Sequence, residues 1–222
     1  MTAMYWQEDS NEKQFVVQDD VVDLMFSIRC ATLPVDHAWA LSEQIIKILP
    51  WFAQEASTGL HIIHGADSGN GWERPQGADE LLHLSRRTKL TLRLPRHRVS
   101  DAVALSGQVL QVGEHRLQVG EHKSRLLSMT NILYSRYLAS RPEWGEEEFI
   151  AWAVDELKGM NLRFKKVLCG RGYEFATPQG PIPTRSLMVA DLPHADAVRL
   201  QERGIGPHRS MGLGLFVPQK SF

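Results

Sequence analysis

The two halves of this 222-residue chain repeat one order of elements, and that repetition limits its fold more than any other feature. Residues 21–30 read as a mostly apolar strand. Asp36 is a suitable N-cap for a helix from His37 to about Leu49, in which Ala38, Leu41, Ile45 and Ile48 recur at helical spacing. Residues 60–64 form a short strand. Residues 88–94 alternate, with Leu90, Leu92 and Leu94 on one face and Lys89, Thr91 and Arg93 on the other. A short helix over 99–105 and a hairpin over 109–119, turning at Gly113, complete the first half. The second half reads as a strand at 126–134, a helix at 146–158 and strands at 164–169 and 185–191. A helix at 194–203 and a last strand at 213–217 follow. The acidic start of the 146–158 helix suits the helix dipole. Leu94-Pro95 with the helix after it resembles Leu192-Pro193 with the helix after it, and each stretch joins the third strand to the second helix of its half.

Two tandem βαββαβ units are the simplest solution, each a ferredoxin-like split βαβ in an α+β fold. The expected division is an N-terminal extension over 1–20, a first domain over 21–122 and a second over 123–222. A glycine-rich loop at 204–216 belongs to the second domain. Sheets of this kind carry helices on one face and leave the other available.

Composition narrows the class. The chain is 43% hydrophobic and 23% charged, ordinary for a globular protein. No apolar stretch reaches the roughly 20 residues that span a bilayer, and the acidic N-terminus does not read as a signal peptide. No membrane partner and a cytoplasmic location are therefore expected. The two cysteines, Cys30 and Cys169, lie far apart and form no metal-binding spacing, so neither a metal nor another cofactor is expected. The formal net charge of −1 hides an asymmetry. Residues 1–80 hold 13 acidic and 4 basic side chains, whereas residues 81–222 hold 13 and 21. Residues 81–100 contain six Lys or Arg and no acid, and residues 157–173 five and none. Such a distribution suits an anionic partner.

Near the C-terminus, Gly204-Ile205-Gly206 and Gly212-Leu213-Gly214 are two Gly-x-Gly steps separated by Pro207-His208-Arg209-Ser210-Met211. Successive amides in such a turn make an anion-binding concavity, and an arginine adds a planar donor for phosphate. The order, helix then loop then strand, is not that of a P-loop or a dinucleotide fold.

Tandem ferredoxin-like units with this terminal glycine loop resemble the RAMP superfamily of CRISPR-associated proteins. Within it, the loop's size and position resemble the sixth Cas family, the endoribonucleases that process precursor CRISPR RNA. The segments Leu33-Pro34-Val35-Asp36-His37, His61-Ile62-Ile63-His64-Gly65, Gly69-Asn70-Gly71-Trp72 and Leu84-Ser85-Arg86-Arg87-Thr88-Lys89-Leu90 are similar to the Myxococcus-type subfamily. The resemblance implies metal-independent cutting of repeat RNA by its own 2′-hydroxyl, leaving a 2′,3′-cyclic phosphate and a 5′-hydroxyl. It implies repeat RNA, precursor and mature, as the partner, and leaves open other effector subunits and a monomeric or homodimeric state. The main rival is a non-catalytic RAMP subunit that holds guide RNA in an effector complex. A metabolic enzyme with a small phosphorylated ligand at the glycine loop fits the basic asymmetry less well.

The chemistry asks for a base near the 2′-hydroxyl, an acid near the leaving oxygen and positive charge on the phosphate. His37 is the first candidate, at a helix start where the resemblance implies a functional histidine. His64 and His61 are the next, on opposite faces of a short strand by alternation. For RNA binding, Arg87, Lys89 and Arg93 share a polar strand face, with Arg86 in the same basic run. Residues two apart on a strand are about 6.6 Å apart, close to the spacing of successive phosphates. Gly204, Gly206, His208, Arg209, Gly212 and Gly214 form the loop set. Trp72 is a candidate base stacker; Tyr134, Tyr137 and Tyr173 are candidate acids or stackers. His83, His97, His115, His122 and His194 read as surface residues.

Overall fold

A computed structural model describes residues 15–65 and 80–219 of the chain. The candidate stacker Trp72, with Gly69-Asn70-Gly71 before it, lies outside the described residues. The first half contains strands β1 (Val21–Arg29), β2 (Thr32–Pro34), β3 (Gly59–His61), β4 (Leu81–His83), β5 (Lys89–Pro95), β6 (Val109–Val112) and β7 (His115–Leu126). Its helices are α1 (Ala38–Ile48) and the single turn α2 (Val99–Ala102). The second half contains β8 (Ile132–Ala139), α3 (Glu146–Gly159), β9 (Lys166–Phe175), β10 (Ile182–Ala190), α4 (His194–Arg203) and β11 (Val217–Pro218).

The first sheet runs β3-β5-β1-β7-β6 and the second β11-β8-β10-β9. All the described pairings are antiparallel. In each sheet the first and third strands are central and the second flanks the third; the first is flanked by β11 in the second sheet and by β7, with β6 outside it, in the first. That is the ferredoxin-like order, so the expected fold class stands. β2 and β4 form a separate two-stranded ribbon.

Alternation decides which face each strand buries. Leu24 and Phe26 on β1 join Leu90, Leu92 and Leu94 on β5, and α1 covers them with Leu41 and Ile45. In the second half, Leu133, Leu187 and Val189 pack under Phe149, Ala153 and Leu157 of α3 and Ala197 and Leu200 of α4. The i, i+4, i+8 spacing on α3 puts its three buried side chains on one stripe.

Several boundaries differ from the expectation, each for a local reason. α1 begins at Ala38, with His37 rather than Asp36 at the N-cap and no side-chain cap bond. β7 continues to Leu126 because it keeps pairing with β1, as far as Val22 opposite Leu126. The apolar run from 126 therefore spans a linker, and β8 starts only at Ile132. β9 extends to Phe175 through two glycines that punctuate the sequence: Gly172 stays paired with Arg185 of β10, and Gly170 sits at the register shift opposite Ser186. A Cβ on Gly170 would strike the Ser186 hydroxyl of that neighbouring strand. The last strand is only Val217–Pro218, because Leu213, Leu215 and Phe216 are buried in the turn before it.

The halves meet at a buried charged joint. Arg93 on β5 is 1% exposed. Its Nε donates to Asp23 Oδ1 at 2.9 Å and its Nη2 to Asp23 Oδ2 at 3.3 Å. Its Nη1 donates across the joint to the carbonyls of Gln201 at 2.9 Å and Phe216 at 2.8 Å. The Gln201 side chain in turn holds the linker, donating to Ser128 O at 2.8 Å and accepting Ser128 N–H at 3.2 Å.

Candidate functional site

β3 delivers the histidines to the joint. It pairs with β5, Gly59 opposite Arg93 and His61 opposite Thr91. His61 therefore shares with Asp23 and Arg93 the face of the sheet opposite α1, the face that meets the second half. Its Nε2 meets Asp23 Oδ1 at 3.1 Å. Burial lowers the His61 pKa; Asp23 raises it, and Arg93 and Arg125 lower it again, leaving it below the ordinary value. Burial pushes the Asp23 carboxyl up, but His61 and Arg93 outweigh that and hold it well below the usual carboxylate range. Arg125 Nη2 also reaches Asp23, at 3.2 Å.

His37 is buried, at 1% exposure. Its Nδ1 lies 2.9 Å from Pro34 O, and its Nε2 accepts the Ile63 N–H at 3.3 Å. A carbonyl can only accept and an amide only donate, so this pairing fixes the neutral Nδ1–H tautomer. The ring ties the entry of α1 to the segment after β3. At the position where the sequence suggests a catalytic base, both nitrogens are thus in contact with the backbone.

His64, just beyond β3, is half-buried at the edge of an aromatic cluster. Its ring centroid is 6.5 Å from that of Tyr137 on β8. Tyr137 packs edge-on against Phe175 at 4.7 Å and Tyr173 at 5.8 Å. Ala38, Ile62, Met211 and Leu213 close the cluster. Six segments thus converge on this cluster: the start of α1, the residue after β3, the glycine loop, β8, β9 and the start of β10.

Tyr173 borders two cavities. One, of 1360 Å³, lies between the loop before α1 and the β8–α3 and β9–β10 connections; Asp36, Arg141, Arg171 and Arg185 are on its walls. The other, of 330 Å³, opens on the helix-free face of the second sheet, between Tyr134, Arg136, Arg171 and Met188. Arg141 stacks over Trp144 at 4.7 Å and Arg136 over Tyr134 at 5.8 Å. Guanidinium and aromatic faces in one surface suit both phosphates and unstacked bases. Arg136, Arg171 and Arg185 escaped the sequence reading. The signal was there for the first, in the alternation of Tyr134 and Arg136.

The RNA candidates separate. Arg86 and Arg87 are exposed in a turn closed by Thr88 N–H to Ser85 O at 3.1 Å, so Arg87 is not on the strand. Lys89 is exposed at the first residue of β5. Arg93 is corrected outright: its guanidinium faces the joint, where Asp23 and two carbonyls take its donors.

The glycine loop turns inward more than expected. A Cβ on Gly204 would collide with the Gly214 carbonyl, and one on Gly214 with the Ile205 carbonyl. A Cβ on Gly212 would strike Ile62 and the Leu60 carbonyl of β3, and one on Gly206 would come within 3.3 Å of Trp152. These glycines meet close protein packing, not the open phosphate cradle the sequence suggested. Arg209 is also partly inside, with Nη2 donating to Glu202 O at 2.9 Å. Burial and the nearby Arg93 lower its pKa to about 10. His208 remains exposed, in the left-handed region at φ 66°. With Arg203 and Ser210 it borders a 790 Å³ cavity on the outer side of the loop. Among the described residues no group of three or more His, Cys, Asp or Glu could hold a metal ion.

Comparison with known proteins agrees with this architecture. The "CRISPR-associated endonuclease Cas6" of Myxococcus xanthus (strain DK1622) is 26% identical over 197 residues, 89% of this chain and 81% of the relative. A solved "CRISPR associated protein Cas6" superposes with a TM-score of 0.61 at 14% identity, covering 90% of this chain and 100% of that one. A structure described as "An RAMP protein binding different RNA substrates" gives 0.62 at 11% identity, covering 88% and 98%. At such identities the structural likeness speaks for the fold. The family model described as Cas6 Crispr matches residues 22–221, from β1 to beyond β11, and the chain belongs to that family.

Proposed function

We propose that this chain is an endoribonuclease that cuts CRISPR repeat RNA in precursor transcripts, with His64 at the reacting centre. The observation that carries the reading is the position of His64. It is half-buried at the joint, 6.5 Å from the Tyr137 ring, which packs at 5.8 Å on Tyr173, and Tyr173 lines the cavity walled by Arg171 and Arg185. His37 and His61 are held by the backbone and by Asp23 respectively. The name of the Myxococcus relative, an endonuclease, supports the reaction class.

In the proposed step His64 accepts the proton of the 2′-hydroxyl, whose oxygen attacks the adjacent phosphorus. The bond from phosphorus to O5′ breaks, and O5′ takes a proton from Tyr173. The products are a 2′,3′-cyclic phosphate and a 5′-hydroxyl. Arg171 and Arg185 offset the charge that grows on the non-bridging oxygens. Neutral histidine is the form that accepts a proton, and its ordinary pKa lies near the working range. No metal is required by this sequence of proton transfers.

The test is incubation of the protein with its own repeat RNA in excess EDTA, beside His64→Ala. Discrete cleavage to a cyclic-phosphate end, lost in the variant, supports the reading. Binding without cutting would favour the guide-RNA-holding subunit instead, and absence of binding would sink both.

A further inference from the structure

We infer that Arg93 is a positioning residue for the cleavage reaction, gripping both ends of the glycine loop and setting it against the strand that leads to His64. The inference rests on the reading of His64 as the reacting group.

The geometry is specific. The carbonyls bound by Nη1, Gln201 O and Phe216 O, flank residues 204–214 on either side. One nitrogen therefore closes the neck of the whole loop. Gln201 lies in the last turn of α4, whose carbonyls have no partner within the helix, so Arg93 also serves as its cap. The other edge of the guanidinium is fixed by Asp23 at 2.9 and 3.3 Å. The planar fork holds three groups at set angles, which a lysine ammonium would not reproduce.

The loop so held bears directly on β3. Gly212 packs on Leu60 and Ile62, two residues short of His64, and Leu215 packs on Gly59. Gly214 N–H donates to Tyr137 O at 2.8 Å, which places the aromatic wall beside His64 by the same loop. Releasing the neck frees the loop, and with it both the strand and the wall of the site. Arg93 touches neither RNA nor the reacting atoms, so its effect runs through the placement of His64 and Tyr137.

Three variants test this: Arg93→Lys, Arg93→Met, and Asp23→Asn with Arg93→Met together. The double variant removes both charges of the buried pair, so no uncompensated charge opposes folding. Spin labels at Glu114→Cys in the first half and Glu156→Cys in the second, with both native cysteines replaced by serine, report the relation of the halves without RNA. The expected result is a narrow distance distribution with Arg93 present and a broad one in all three variants. With unlabelled protein, the single-turnover cleavage rate falls on the order of 100-fold, as for a displacement of about 1 Å, while the RNA dissociation constant changes less than about 3-fold. A narrow distribution in the double variant, or cleavage at the wild-type rate by folded Arg93→Met, would overturn the inference. If the unaltered protein does not cut RNA, the nuclease reading and the positioning role fall together. A broadened distribution would then still establish the tether, and a narrow one would remove that too.

Discussion

His37 and Ile63 are joined by a hydrogen bond in which the imidazole is the acceptor: Ile63 N–H donates to Nε2 at 3.3 Å. With Nδ1 against Pro34 O, the ring pins the start of α1 to the residue just before His64. His37→Ala leaves a buried amide and a buried carbonyl without that partner, at a cost of about 1–3 kcal/mol. For a chain of this size the unfolding midpoint should drop roughly 2–4 °C per kcal/mol, read by calorimetry. An unchanged midpoint together with lost cleavage would return His37 to the catalytic group.

His64→Ala should behave in the opposite way. Loss of a general acid–base group slows the chemical step by about 10²–10⁴-fold. Repeat-RNA affinity, measured by filter binding, should be retained, and the unfolding midpoint should move little because the side chain is half-buried at a rim.

Stability should depend on pH through His61. Its folded pKa lies below the unfolded value of about 6.5, so the folded state favours the neutral ring. The contribution is complete above the unfolded pKa and is lost as pH falls through the folded one. The stability difference between the unaltered protein and His61→Asn should therefore shrink between pH 7 and pH 5. A gap that widens on acidification would mean that His61 is stabilised as the imidazolium by Asp23. Asp23, whose pKa is depressed, adds a second loss at lower pH by the same sign rule.

The glycine loop offers a graded series. Gly214→Ala meets the Ile205 carbonyl at a backbone angle of φ 73°, and strain of about 1–2 kcal/mol from the angle is compounded by the collision. Gly159→Ala, at the end of α3, meets nothing within 4 Å and should be neutral or slightly stabilising. Urea unfolding of the pair separates packing from phosphate binding; equal midpoints would contradict the crowded neck. Arg209→Ala should likewise lower stability, since its donor to Glu202 O disappears.

Surface arginines should instead report RNA. Arg136→Ala and Arg171→Ala are each expected to weaken binding and to lower the slope of log affinity against log salt by about 0.7–0.9 for each phosphate no longer neutralised. Unaltered slopes in both variants would remove the helix-free face of the second sheet from the RNA path.

Much of the architecture was legible from periodicity. The alternation of Leu90, Leu92 and Leu94 gave the buried face of β5, and the stripe through Leu41 and Ile45 gave that of α1. Strand ends were less legible: Gly170 and Gly172 look like breakers until their neighbours on β10 are known. The fate of the polar face of β5 was hidden for a deeper reason. Alternation assigns Lys89 and Arg93 to the same face, but only the other half of the chain decides that one is exposed and one is buried. Likewise, a histidine at a helix start reads as reactive until the Ile63 amide is placed on it. Local pattern gives direction along the chain; what stands opposite is set by tertiary packing.

On the far side of the joint, Arg93 recognises only main-chain oxygens, those of Gln201 and Phe216. Its grip is therefore blind to the identity of the side chains at those two positions. The packed glycines between them are fixed by their own contacts with β3 and Tyr137, whereas the outward tip is not. The outer rim at His208, exposed beside the outer cavity, is thus open to respecification while the glycines and the two carbonyls beneath it are kept.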